Sequence, residues 1–221
     1  MTPAIIAGPP APELPFKFVG GDPAVDLVNT VDWAGAALID DRLSDYERLT
    51  EWAEGAGLLM PKQGVRFRLL AKEHPTLAAR AHECALRLRW NLRQLFLAIA
   101  EGRSLTRQPA LAELNESIAT TFAQLQLAPT SRPESDEGPL HWGWRDATER
   151  LDSVLWPVVR SGVELLASDE ATRVRQCGAP ACGWMFVDRS RNGLRRWCQM
   201  EVCGTQEKSR KRAARRGESD R

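Results

Sequence analysis

Four cysteines fall within the last fifty residues of this 221-residue chain, in two pairs of identical spacing. Four residues separate Cys177 from Cys182, four separate Cys198 from Cys203, and fifteen lie between the pairs. Two close pairs joined by a short excursion can each present two thiolates from a tight turn toward one tetrahedral ion. A segment of about 50 residues buries too little apolar surface to fold alone, so a metal there supplies folding free energy. Two disulfides or an iron–sulfur cluster are the alternatives. The stretch from Met1 to Pro15 has no basic residue ahead of its short Ile5-Ile6 core, unlike a secretory signal. The expected location is therefore cytoplasmic and reducing, which favours one zinc ion over disulfides. Four thiolates close the tetrahedron, so the zinc is expected to be structural; with no nucleophile and base nearby, and His74, His82 and His141 far upstream in no catalytic pairing, the protein is not expected to be an enzyme. Gly178 and Pro180 shape the first turn, and Gly183 and Gly204 follow the second cysteine of each pair, letting amides approach the sulfurs. On this view Cys198→Ser releases zinc and melts the segment while the rest stays folded. Cys84, within a helical pattern, reads as an ordinary buried cysteine.

Charge divides along the same line. The formal net charge is only +1, which excludes a uniformly polybasic protein. Through Thr172 there are 17 Lys and Arg against 24 Asp and Glu; from Arg173 to Arg221 there are 13 against 5. An acidic body carrying a basic module points to an anionic partner. Val174 and the Trp184, Phe186 alternation predict two short strands meeting at the first cysteine turn. Arg189, Arg191, Arg195 and Arg196 follow in a turn-prone loop, as candidates for phosphates or guanine edges. The run from Thr205 predicts a helix ending near Gly217, on which Lys208, Arg210, Lys211 and Arg212 add non-specific attraction. Trp197 is expected to pack over the zinc site and Asp188 to anchor an arginine or a backbone turn. A solvated face on a protein-docking module is the alternative for all these cations.

The pattern Cys177-x4-Cys182-Gly-Trp-x-Phe-Val-Asp188-x-Ser190-Arg191-Asn192-x2-Arg195-Arg196-Trp197-Cys198-x-Met200-x2-Cys203-Gly204 resembles the CGNR zinc finger, a four-cysteine module. One departure stands out: where that family continues Asn-Arg after Cys-Gly, this chain has Thr205-Gln206. Lys208 and Arg210 are the nearest replacements for the missing arginine. Upstream, Phe18-Val-Gly-Gly-Asp22-Pro-Ala-Val-Asp26-Leu-Val-Asn29-Thr30 resembles the opening of the ABATE domain, as does the segment from Asp45 to Gly57. The resemblance implies a zinc-dependent regulator of transcription in a stress response, binding double-stranded DNA. A protein-interaction adaptor and an RNA-binding protein are the other readings.

The body upstream reads as mainly α (α+β), a helical domain with a small hairpin. Met1–Pro15 is expected to be a disordered tail, residues 16–168 a helical domain and 173–217 the finger. Phe16 to Val31 suggests a strand or strand-to-helix segment. Ser44 and Glu47 form a capping box for a helix through Glu54. From Pro75 the residues Leu77, Ala81, Cys84, Leu88, Leu92, Leu95 and Ile99 recur at three- and four-residue steps up to Gly102. Another helix spans Pro109 to Phe122. Leu125-Leu127 and Leu140-Trp142-Trp144 flank a polar turn as a hairpin. A last helix covers Asp146 to Ala167, kinked at Pro157. Asp26, Asn29 and Thr30 either hold a small ligand or cap the following turn. Trp33, Trp52 and Trp90 either line a pocket or pack the core. The body is expected to sense a small molecule, bind a protein partner or mediate assembly. No run of apolar residues is long enough to span a membrane.

Overall fold

The computed structural model describes residues 15–34, 37–130, 139–210 and 212. The expected tail, apart from Pro15, and the 131–138 turn lie outside these residues. The chain is mainly helical, as expected, with three two-stranded antiparallel ribbons among the described residues. None of the described helices is long and apolar enough to cross a membrane.

Helix α1 (Pro23–Val28) resolves the ambiguous opening segment: Asp22 caps it by accepting from the Ala24 N–H at 2.8 Å, and Pro23 suits the first turn because it has no N–H to lose. A ribbon that the sequence did not announce follows, β1 (Val31–Ala34) against β2 (Ala37–Asp41), with an irregular register between Asp32 and Trp33. Helix α2 (Tyr46–Gly55) is capped by Asp45, which accepts from the Arg48 N–H at 2.9 Å, so Ser44 is not the cap and Glu47 completes no box. Helix α3 (Pro61–Glu73) was also unannounced; only Gly64 and Phe67 of it are buried, too thin a stripe to read as periodicity.

The 26-residue helix α4 (Pro75–Ala100) touches α1, α2, α3 and, across the chain, α5 (Pro109–Phe122). Its buried face runs Ala78, Ala81, Ala85, Leu88, Leu92 and Leu95, so Ala81, Leu88, Leu92 and Leu95 lie in the core as expected, while Ala78 and Ala85 take the places expected for Leu77 and Cys84. Leu77 is 50% exposed and Cys84 only half-buried, because alanines occupy the face where neighbouring helices come close. The hairpin β3 (Leu125–Pro129) and β4 (Leu140–Trp144) forms as expected, Leu127 opposite Trp142. The final helix does not: turns and a 3-10 segment (Leu151–Leu155) precede α6 (Trp156–Leu166). Pro157 lies in the first turn of α6 and starts that helix instead of kinking a longer one.

The cysteine segment enters through β5 (Val174–Gln176) and β6 (Met185–Val187), paired Val174 with Val187 and Gln176 with Met185. Val174, Met185 and Val187 belong to the same apolar core as α1, α4 and α6. Buried Asn29, just beyond α1, clamps β6: its Nδ2 donates to the Met185 carbonyl and its Oδ1 accepts from the Met185 N–H, both at 2.8 Å. Trp184 Nε1 donates to the Val31 carbonyl at 2.9 Å, and the Val187 N–H to the Gly20 carbonyl at 2.8 Å. Removing the amide strands a buried donor and a buried acceptor together. Asn29→Ala is therefore expected to lower unfolding free energy by about 2–4 kcal/mol in urea titration; a change below about 0.5 kcal/mol, the size of a neutral surface substitution, contradicts the clamp.

Candidate metal centre and basic surface

Backbone bonding builds the metal centre from two turns. The Cys177 N–H donates to the Trp184 carbonyl at 2.8 Å and the Cys182 N–H to the Ala179 carbonyl at 2.9 Å, closing the first turn at the end of the β5–β6 ribbon. The Gly178 N–H donates to the Arg196 carbonyl at 2.8 Å and ties that turn to the second pair. Cys203 sits in a single π-type turn (Met200–Gly204) that runs into helical residues 205–210. The remainder of the expected helix to Gly217 lies outside the described residues, except Arg212.

All four sulfurs lie within 4.8 Å of one another. Cys182 and Cys198 are 3.7 Å apart, Cys198 and Cys203 3.6 Å. A tetrahedron with Zn–S bonds of about 2.3 Å has edges of about 3.8 Å, so the cluster has the size of a closed zinc site. The donor set fits chemically as well. Without a cation, hydrogen bonding to Cys177 pushes the Cys182 thiol up to about 12, bonding to Cys177 and Cys182 drives Cys198 further up, and burial raises Cys203. Only Cys177 is held low, first by the Cys182 and Cys198 thiols that donate to it. Four thiolates coexist here only around a dication. The Cys198 N–H approaches the Cys177 sulfur at 3.4 Å, a backbone contact that orients the ligand. One structural zinc ion is held by Cys177, Cys182, Cys198 and Cys203.

Gly183 has a different reason from the one its place beside Cys182 suggests. A Cβ there would stand 2.3 Å from the Trp33 Cβ, so the glycine lets the finger close onto the body. Trp33, Val31 and the cysteines with Trp184 and Phe186 form one apolar cluster. Arg93 of α4 reaches into it, donating to the Gly183 carbonyl at 2.9 Å with its guanidinium 3.8 Å from the Trp33 ring centroid. Arg89, one turn earlier, pairs with Asp41 and donates to Thr30 Oγ1. Neither arginine was singled out in the sequence, because a charged residue in a helical stripe reads as solvent-facing. The shared cluster also removes the basis for expecting Cys198→Ser to leave the body intact.

The basic residues sort by what they touch. Arg189 pairs with Glu170 at 2.8 Å and donates to the Gly21 carbonyl. Arg195 lies over the Phe186 ring and donates to the carbonyls of Val19, Trp197 and Cys198. Arg210 pairs with Glu207 at 2.8 Å. Arg191, Arg196, Lys208 and Arg212 are exposed, and Lys211 lies outside the described residues. Asp188 anchors the loop, accepting from Ser190 N–H and Oγ and from the Arg195 N–H. Burial pushes its carboxyl up, but these bonds outweigh it and hold the group below its usual range. Trp197 is half-buried against the metal cluster with Arg196 beside its ring.

Asp26, Asn29 and Thr30 turn to different partners. Asp26 accepts from the Gly20 N–H at 2.8 Å, Asn29 holds Met185, and Thr30 donates to the Leu27 carbonyl at 2.7 Å. Trp52 is in the main core, whereas Trp33 and Trp90 pack on each other at 6.1 Å beside the finger.

These features define a helical body fused through a shared core to a four-cysteine zinc finger. The CGNR zinc finger family matches residues 173–216, and a family described as "putative stress-induced transcription regulator", ABATE, matches residues 21–169. The chain belongs to the ABATE family and carries a C-terminal CGNR zinc finger. A comparison with curated proteins finds no match.

Burial raises the Asp26 carboxyl to about 6 from 3.8, against the lowering effect of the Gly20 and Val19 amides. A carboxyl whose folded pKa is raised contributes stability that is full below about 4 and is lost as pH climbs through 6. Asp26→Asn removes that term. Relative to the variant, the wild type is expected to lose roughly 2.5 kcal/mol between pH 4 and pH 7 in denaturant titrations; a constant difference across that interval contradicts the buried-charge assignment.

Proposed function

We propose that this protein is a DNA-binding transcription regulator whose zinc-stapled segment presents a preformed basic loop to the duplex. The observation that carries the reading is the division of labour within residues 188–197. Asp188 pins both ends of the turn, and Gly193, at φ +62, closes it with an N–H bond to the Ser190 carbonyl at 3.2 Å. Arg195 is folded underneath, leaving Arg191, Asn192 and Arg196 exposed on the outside. A loop already fixed costs little ordering entropy on binding, and exposed arginines suit phosphates and guanine edges. Lys208 and Arg212 extend the positive surface past the metal site. The body, in this reading, senses a signal or mediates assembly, and the protein binds rather than catalyses.

A second reading is docking to an acidic protein, since apolar Leu194, Met200 and Val202 are exposed beside the same cations. Binding of zinc-loaded protein to duplex DNA across a salt series separates the two. Log affinity is expected to fall linearly with log salt, and Arg191→Ala with Arg196→Ala to reduce the slope by about 2 without releasing zinc. No binding to duplex at low salt overturns the DNA reading.

A further inference from the structure

A cleft of about 360 Å³ opens along the seam between body and finger, walled by Trp33, Asp32, Asp40 and Arg42 on the β1–β2 side and by Trp184, Gln206 and the zinc ligands Cys182, Cys198 and Cys203 on the other. Two of its lining residues carry a buried nitrogen with no hydrogen-bond partner: Trp33 Nε1 and Arg42 Nη1. Among the described residues only one further side-chain atom, Glu54 Oε1, is in that position. Trp33 is 4% and Arg42 8% exposed, so both donors lie away from bulk water. Buried donors of this kind are costly unless something accepts from them. The rest of Arg42 is committed: Nη2 pairs with Asp32 at 2.9 Å, Nε donates to the Pro15 carbonyl, and the guanidinium lies 5.3 Å from the Trp184 ring centroid. Trp184 Nε1 is likewise spent, on the Val31 carbonyl.

We infer that this seam is a small-molecule site for an uncharged, planar molecule bearing an oxygen acceptor. The two orphaned N–H donors select for the acceptor. The indole rings of Trp33 and Trp184 in the walls select for a flat apolar body. Electrostatics select against charge: Lys17 and Arg42 are matched by Asp32 and Asp40 in the same lining, and the adjacent tetrathiolate zinc centre carries −2. An anion would be repelled by the centre, while a cation would face the two unpaired donors. Neither donor nitrogen reaches solvent, so the occupant must part the seam slightly to be hydrogen-bonded. It then touches the body through Trp33 and Arg42 and the finger through Trp184 and Gln206. The site is independent of whether the basic loop binds DNA.

The test uses the zinc-loaded full chain and three planar bicycles of similar size: quinolin-2-one, naphthalene and quinoline-2-carboxylate. The ¹H–¹⁵N indole resonances are followed by NMR, with Trp33 assigned through its contacts to Gly183 so that no variant has to fold. Quinolin-2-one is expected to move the Trp33 indole N–H downfield, to leave the bonded indole hydrogen of Trp184 nearly unmoved, and to bind at least about tenfold more tightly than either control. Absence of a Trp33 shift up to the solubility limit, equal binding of naphthalene, or tighter binding of the carboxylate overturns the assignment. Gln206→Ala, on the exposed finger wall, is expected to weaken quinolin-2-one binding while retaining zinc; unchanged affinity removes the finger from the site.

Discussion

Four sulfurs held within 4.8 Å of one another cannot all be thiolates unless a dication sits among them, and the rest of the structure is arranged around that condition. The ion closes two turns that have little apolar surface of their own. Those turns fix the ends of β6 and of the loop from Asp188 to Trp197. The same β6 supplies Met185 and Val187 to the main core, so the metal and the helical body act on one strand from its two sides. Asn29 registers that strand by bonding both backbone groups of Met185. A slip of one residue would point Met185 and Val187 out of the core and bring Phe186 in their place.

This placement makes the seam the mechanical centre of the molecule. Trp33 lies against Gly183, next to the ligand Cys182, and Arg93 of α4 holds the Gly183 carbonyl. Burial lowers the Arg93 guanidinium to about 10 from 12.5. A long helix of the body therefore ends its hydrogen-bonding reach one residue from the metal centre. Any event that changes metal occupancy, or that fills the cleft beside Trp33, acts on the basic loop and on α4 through the same few contacts.

The cysteine spacing made the metal site legible because ligand chemistry is local in sequence: each pair must come from one turn. Helices with a broad apolar face, α4 and α5, were legible for the same kind of reason. The β1–β2 ribbon and α3 were not, since their burial depends on partners far along the chain. The cap of α2 falls one residue beyond Ser44, at Asp45; both are competent acceptors, and only the backbone geometry decides. Pro157 begins a helix where the sequence suggests a kink, because the two kinds of proline look alike without the preceding 3-10 turn. For the basic residues, the sequence shows charge but not commitment. Arg189 and Arg195 lie in the same run as Arg191 and Arg196, yet their donors are occupied by Glu170 and by main-chain carbonyls. The seam cleft was beyond sequence reasoning altogether, because an unpartnered nitrogen is visible only once every neighbour is placed.

The central claim is that zinc, finger and helical body form one cooperative unit. Native-state hydrogen exchange with zinc bound and with zinc chelated tests it most directly. The shared core predicts that chelation lowers protection of the Leu92 and Leu95 amides in α4 together with that of Met185 and Val187, by comparable free energies. Exchange in α4 that stays unchanged while the cysteine segment exchanges freely would contradict it.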